Sequence, residues 1–196
     1  SWDIEYDYPE WGWKELEGIA NRTDYDLKTH GKWSGKDLSY TDPMTRETFV
    51  PYVIEPSVGV SRLFLALLID AYREEPARNA SHSDAGGEKR TYLRLKPSLA
   101  PVKAAVFPLV ANKPQLTEKA RSVYRLLKKH FVVVWDDRGN IGKRYLAQDE
   151  IGTPWCVTID YDTLKDDTVT VRDRDTTKQE RVAVDRLKEY IEAKLL

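Results

Sequence analysis

Residues 53–69 constrain the fold most. Val53 and Ile54 close an apolar run that reads as a buried strand. Glu55-Pro56-Ser57-Val58-Gly59-Val60-Ser61-Arg62 turns a tight corner bearing proline and glycine. Leu63-Phe64-Leu65-Ala66-Leu67-Leu68-Ile69 then reads as an apolar helix. The corner carries one carboxylate, one hydroxyl and one guanidinium. Such a set can surround a small pocket, with Glu55 holding an ammonium group and Arg62 a phosphate or the face of a base. A carboxylate that directly follows a buried run needs a partner, so an internal ion pair from Glu55 to Arg22 or Arg62 is the structural alternative.

The chain has 196 residues, room for one large domain or one and a half ordinary ones. Its apolar content of 41% suffices for a core, and its charged content of 32% suits a soluble globular chain. The net charge of -1 does not advertise nucleic acid, although a local basic face can hide inside a neutral total. Cys156 is the single cysteine, which excludes an intrachain disulfide and a Cys-rich zinc site. His30, His82 and His130 lack metal-ligand spacing, so no metal site is expected. No apolar run is long enough to span a membrane and no signal peptide is visible, so the expected compartment is the cytoplasm. The chain opens in strand-like alternation at Ser1-Trp2-Asp3-Ile4-Glu5-Tyr6 and its only methionine is Met44, so a processed or cut N-terminus is expected.

Composition shifts at Arg73 to Arg90, a polar stretch rich in small residues that reads as a linker. Before it, Trp13 to Ala20 alternates, with Trp13, Glu15 and Glu17 expected on one face and Leu16, Gly18 and Ala20 on the other. Asp24 to His30 opens a short helix capped by Thr23 or Asp24, Phe49 to Ile54 is a strand, and Ser61 to Tyr72 is a helix apolar nearly all round, hence buried. After the linker, strands are expected at Val102–Leu109, Phe131–Trp135, Trp155–Asp160 and Thr168–Arg172. Helices are expected at Thr117–Lys129, Ile141–Ile151 and Val182–Leu195. That βαβαββα order implies an α/β unit with a mixed, mainly parallel sheet and helices on both faces.

Other polar clusters have bland readings as well as functional ones. Glu15 and Glu17 suit an amino group or a ribose, or simply a solvated strand face. Asp136 to Arg144 follows an apolar strand, where α/β folds place ligands, and gathers Arg138, Lys143 and Arg144 within reach of RNA phosphates or stacked bases. It lacks both phosphate-loop patterns, and a turn with a helix cap explains it equally. Asp160, Asp162, Asp166 and Asp167 read as an acidic turn rather than a calcium loop. Arg172-Asp173-Arg174-Asp175 reads as solvated surface pairs.

Glu-Pro-Ser-x-Gly-x-x-Arg over Glu55–Arg62 resembles motif 3 of class II aminoacyl-tRNA synthetases, specifically the glycyl-tRNA synthetase family. Residues 11–27 resemble the strand that precedes motif 3, and Leu95 to Lys103 the joint into the anticodon-binding domain. Residues 139–145, 149–154 and 167–175 resemble that domain, which class IIa synthetases share. The resemblance implies a partial class II antiparallel catalytic sheet over 1–72, a linker over 73–95, and an α/β anticodon-binding domain over 96–196. It also implies ATP-dependent attachment of glycine to tRNA(Gly) with Mg²⁺ by a homodimeric full enzyme. Arg22, Glu55 and Ser57 match positions that hold glycine, Glu55 taking its ammonium group and Arg22 its carboxylate side. Arg62 matches the arginine that meets ATP, and with Glu55 stands as the catalytic pair; Glu15 matches an acid on the ATP-side strand. Lys143, Arg144 and Arg172 are the candidate tRNA contacts. Selectivity for glycine implies a pocket too crowded for a Cβ. Motifs 1 and 2 are not found in these residues, so this piece alone is expected not to aminoacylate. A non-catalytic synthetase paralogue that binds RNA or a protein is the alternative.

Overall fold

The computed structural model describes residues 1–76 and 89–195. The chain divides into two compact units, residues 1–67 and 68–196. In the first, β1 (Trp2–Tyr8), β2 (Gly12–Thr23) and β5 (Val53–Val58) form an antiparallel sheet in the order β1-β2-β5. Helix α1 (Tyr25–Ser34) follows β2, and β3 (Tyr40–Thr41) pairs with β4 (Thr48–Phe49) ahead of β5. Helix α2 (Val60–Ala71) leaves the corner and crosses the division between the units. Tyr8 is buried, and its hydroxyl donates to the carbonyl of Arg62 at 3.0 Å, tying β1 to the first turn of α2.

A β-bulge corrects the expected faces of β2. Glu5 pairs with Glu15 and its neighbour Ile4 pairs with Glu17, which leaves Leu16 as the extra residue. An extra residue reverses the alternation beyond it. Glu15 and Glu17 therefore lie on opposite faces, and Glu15 shares a face with Gly18. The expected burial of α2 also fails among the described residues: Ala66 and Ala71 are buried, but Phe64 is 62% exposed.

The second unit begins with a hairpin of β6 (Tyr72–Pro76) and β7 (Lys89–Leu93). The stretch expected as a linker thus has paired strands at both ends, and its middle, 77–88, lies outside the described residues. A five-stranded mixed sheet follows in the order β12-β11-β10-β8-β9. Its strands are β8 (Ala104–Pro108), β9 (Val133–Trp135), β10 (Trp155–Ile159), β11 (Thr168–Asp173) and β12 (Gln179–Ala183). The first three run parallel, and β11 and β12 add antiparallel. Helix α3 (Pro114–Lys128) and α6 (Leu187–Leu195) cover one face, burying Leu116, Val123, Leu127, Leu187 and Ile191. Helix α4 (Ile141–Glu150) covers the other, setting Tyr145 and Ile141 against Phe107 and Cys156. The one-turn α5 (Thr163–Asp166) joins β10 to β11. Each fully buried aliphatic side chain contributes about 1.5–3 kcal/mol, against ~1 kcal/mol or less for an exposed ion pair, so this two-sided core dominates the unit's stability.

Two expectations shift for local reasons. Helix α3 begins at Pro114 rather than Thr117, because proline's fixed φ suits a first helical position. Val182, expected in the closing helix, is buried on β12 opposite Val169, since its apolar spacing fits a strand as well as a helix.

Polar clamping completes the unit. Asp149 is fully buried at the end of α4 and accepts from Arg90 Nε at 2.8 Å and from both terminal nitrogens of Arg172 at 2.9 Å. Arg174 is also buried, donating to the carbonyls of Gly152 (2.6 Å) and Leu95 (2.7 Å) and to Asp175. The two arginines of the alternating run expected as solvated pairs are thus interior struts, while Asp173 and Asp175 stay partly exposed. Gly152 closes the turn after α4 at φ +79°, where a Cβ would come within 2.9 Å of Leu95 Cδ1. Replacing Asp149 by asparagine leaves two buried guanidinium groups facing an uncharged side chain. Asp149→Asn is expected to cost about 3–5 kcal/mol, read as a lower urea midpoint at unchanged slope.

Candidate functional site

In the first unit, the strand registers gather the predicted glycine and ATP residues. Asp3, Gly18 and Ser57 lie directly across the three strands, and Ala20 pairs with Glu55. With the bulge at Leu16, one exposed face of the sheet carries Glu15, Gly18, Ala20, Glu55 and Ser57 together. A Cβ on Gly18 would sit 3.6 Å from Glu15 Oε1 and 3.7 Å from Asp3 Oδ1, so two carboxylates border this glycine.

Arg22 joins the same face through a second irregularity. Asn21 pairs with Ile54 and Thr23 with Val53, so Arg22 is the residue left over. Its Nε lies 3.5 Å from Glu55 Oε2, and its guanidinium donates twice to Asp26, at 2.9 and 3.1 Å. The ion pair offered as the structural alternative for Glu55 therefore forms with Arg22, while both side chains stay about half exposed and open to a ligand. Arg62 instead reaches the backbone carbonyl of Glu15, and its own carbonyl is held by Tyr8. That contact leaves the Glu15 carboxylate uncommitted to Arg62. The face offers anionic groups for an ammonium, a guanidinium for a carboxylate, and small residues between them.

Asp26 was not legible as a site residue, because Arg22 is on β2 and Asp26 on α1, and the turn between them brings the two together. The hydrogen bond from Arg22 holds its carboxyl below the usual carboxylate range.

The candidate tRNA residues separate in the second unit. Lys143 is exposed in the first turn of α4, where its backbone N–H caps onto Asn140. Arg144 is buried and fully engaged, donating to the carbonyls of Pro108, Arg138 and Gly139 at 2.6–2.9 Å. Arg172 is committed to Asp149. Arg144 and Arg172 thus act as internal struts, with their guanidinium groups buried and engaged. Arg138 remains accessible, with its side chain 88% exposed beside Asp136. The acidic turn after β10 is internally paired: Arg181 bridges Asp160 and Asp166, and Lys165 meets Asp162. Among the described residues, no three His, Cys, Asp or Glu side chains are grouped to hold a metal ion, and no helix is long and apolar enough to cross a membrane.

Residues 103–194 match the family described as the anticodon binding domain. The crystal structure of the RNA binding domain of threonyl-tRNA synthetase from Cryptosporidium parvum matches with a TM-score of 0.67, over 98% of this chain and 42% of that one. At 20% identity it speaks to the fold alone. The α/β unit that carries this match follows, along the chain, a unit built on an antiparallel sheet. The chain is 55% identical to the glycine--tRNA ligase of Clostridium tetani over 98% of its length, 54% to that of Streptomyces coelicolor over 99%, and 56% to that of Thermobifida fusca over 98%. The chain spans 39–42% of the length of these relatives.

The Arg22–Asp26 contact has a defined pH signature. Because the folded carboxyl titrates below its unfolded value, the contact's contribution is present above the ordinary carboxylate range and is lost as pH falls through Asp26's own midpoint. A carbon-detected NMR titration is expected to place Asp26 below the usual aspartate value, and Arg22→Ala to move it upward.

Proposed function

We propose that these residues supply the motif 3 face and the tRNA-reading unit of an enzyme that joins glycine to tRNA(Gly) at the expense of ATP. One observation carries the reading: Glu15, Arg22, Glu55 and Ser57, scattered in sequence, converge around Gly18 and Ala20 on a single exposed sheet face, in a chain 55% identical to glycine--tRNA ligases. Glu55 takes the glycine ammonium group, with Ser57 beside it as a hydrogen-bonding partner, and Arg22 takes the carboxylate side. Asp26 positions Arg22 by fixing its guanidinium plane. Arg62 serves the ATP side, held in place by its contact with the Glu15 backbone, and Glu15 presents its carboxylate to the same region. A cation here stabilises the charge that develops on phosphate during activation. Mg²⁺ arrives with the nucleotide, which it binds chiefly through phosphate oxygens and water, so a dedicated protein cage is not required. The second unit binds tRNA(Gly), and the homodimer implied by the family resemblance belongs to the whole ligase.

Amino-acid selection on this face works by exclusion. A site for the smallest amino acid gains nothing from contacts to a side chain and must reject larger ones by crowding. Adding a methyl at Gly18 places it among the Glu15 and Asp3 carboxylates, where it competes with substrate for the same space.

Two measurements on a polypeptide of these 196 residues test the reading. A tRNA(Gly) transcript is expected to bind, with affinity falling linearly on a log–log salt plot. Glycine-dependent ATP–pyrophosphate exchange is expected to be absent, because the motif 2 arginine has no counterpart among these residues. Failure to bind the transcript, or robust exchange, contradicts the proposal.

A further inference from the structure

Arg62 is exposed at the start of α2, and its guanidinium is only lightly engaged. Nη1 donates to the Glu15 carbonyl, and among the described residues Arg62 makes no ion pair, so its charge is free to meet an anion. The Glu15 carbonyl belongs to a part of β2 that β5 does not reach. Strand β5 ends at Val58 opposite Glu17, and the chain then turns into α2, so residues 12–16 have no β5 partner. One end of Arg62 is thus fixed by β2. A long side chain held only at its tip still moves with its backbone, so the placement of this cation also depends on what holds the first turn of α2.

That hold comes from Tyr8. Its hydroxyl donates to the Arg62 carbonyl at 3.0 Å, across 54 residues of sequence. The ring delivering this bond is itself locked. It is 2% exposed, meets Tyr6 edge-on at 4.8 Å between ring centres, and lies tilted against Trp11 at 5.7 Å. Its own carbonyl accepts the Trp11 N–H at 3.1 Å, closing the turn between β1 and β2. The Arg62 carbonyl lies inside α2 and has two lone pairs, one of which serves the helix ladder, so the hydroxyl is an additional donor. Its removal leaves no buried carbonyl orphaned. Tyr8 also stands apart from the glycine residues: it lies an odd number of positions from Asp3 on β1, hence on the opposite face of the sheet from Gly18 and Ser57.

We propose that Tyr8 is a positioning residue for the nucleotide. Its hydroxyl sets the depth of the first turn of α2 and, through the Arg62 backbone, the point at which the guanidinium meets ATP. A cation fixed in advance stabilises developing phosphate charge without having to move during the reaction. The inference rests on the proposed ligase function and goes beyond it: a buried hydroxyl on the far side of the sheet, out of reach of both substrates, tunes affinity for one of them and not for the other.

Glycine-dependent ATP–pyrophosphate exchange by the whole ligase containing these residues tests the assignment, with each substrate varied in turn. Tyr8→Phe keeps the ring and removes the hydroxyl. It is expected to raise the KM for ATP about three- to ten-fold and to leave the KM for glycine within about two-fold of the parent. Trp11→Ala loosens the ring and keeps the hydroxyl; it is expected to act in the same direction, and it decides the matter if Tyr8→Phe does not fold, as far-UV circular dichroism reports. A double-mutant cycle read by calorimetric ATP binding separates positioning from general stability. Tyr8→Phe is expected to weaken ATP binding in the parent and to add nothing in an Arg62→Gln background, because a residue that acts through Arg62 has no effect once that guanidinium is gone. An unchanged KM for ATP, an equal rise in both KM values, or full additivity with Arg62→Gln overturns the role of Tyr8 and leaves the ligase function standing. Absence of exchange by the parent ligase overturns the function itself, and the role of Tyr8 with it.

Discussion

A carboxylate with no access to water must be neutralised where it stands, and in the second unit that requirement falls on Asp149. Its two oxygens receive Arg172 from β11 and Arg90 from the β6–β7 hairpin. Arg90 also lies 4.1 Å over the ring of Tyr92, whose hydroxyl donates to Glu75 on the opposite hairpin strand. One buried charge therefore ties α4, the antiparallel part of the sheet and the hairpin to a common point. Removing any one partner leaves the others uncompensated, which makes the three segments energetically interdependent despite their separation along the chain.

The same clamp marks the limit of what sequence periodicity conveys. Strands and helices of the α/β core were legible because each repeats an apolar pattern: Val133–Trp135 as a continuous run, and Leu116, Ala120, Val123 and Leu127 along one stripe of α3. Pairings across 59 residues, as between Arg90 and Asp149, leave no local trace. Arg172 and Arg174 therefore looked like surface charges, since alternation of Arg and Asp has the same appearance whether a strand end is wet or buried. Arg144 was legible as a cation after a strand, but its engagement by three carbonyls depends on how two loops close around it.

The first unit divides similarly. The Glu55–Arg62 corner was visible as a compact motif, and Ser57 and Arg22 came with it through family resemblance. The faces of β2 were not visible, because a bulge is set by strand pairing rather than by composition. Thr23 is likewise held at φ +55° by the second irregularity, where its hydroxyl donates to the Arg22 carbonyl. Sheet geometry, rather than side-chain identity, brings the acidic and basic groups onto one side.

Leu16 thus sets a phase rather than making a contact. Every residue of β2 before it is indexed to one parity and every residue after it, as far as the second irregularity at Arg22, to the other, so Glu15 and Gly18 are neighbours across an odd spacing. A length change of one residue anywhere between them would leave composition almost untouched and turn Glu15 to the back of the sheet. The site consequently tolerates drift in which apolar residue occupies position 16 far better than drift in how many residues lie there.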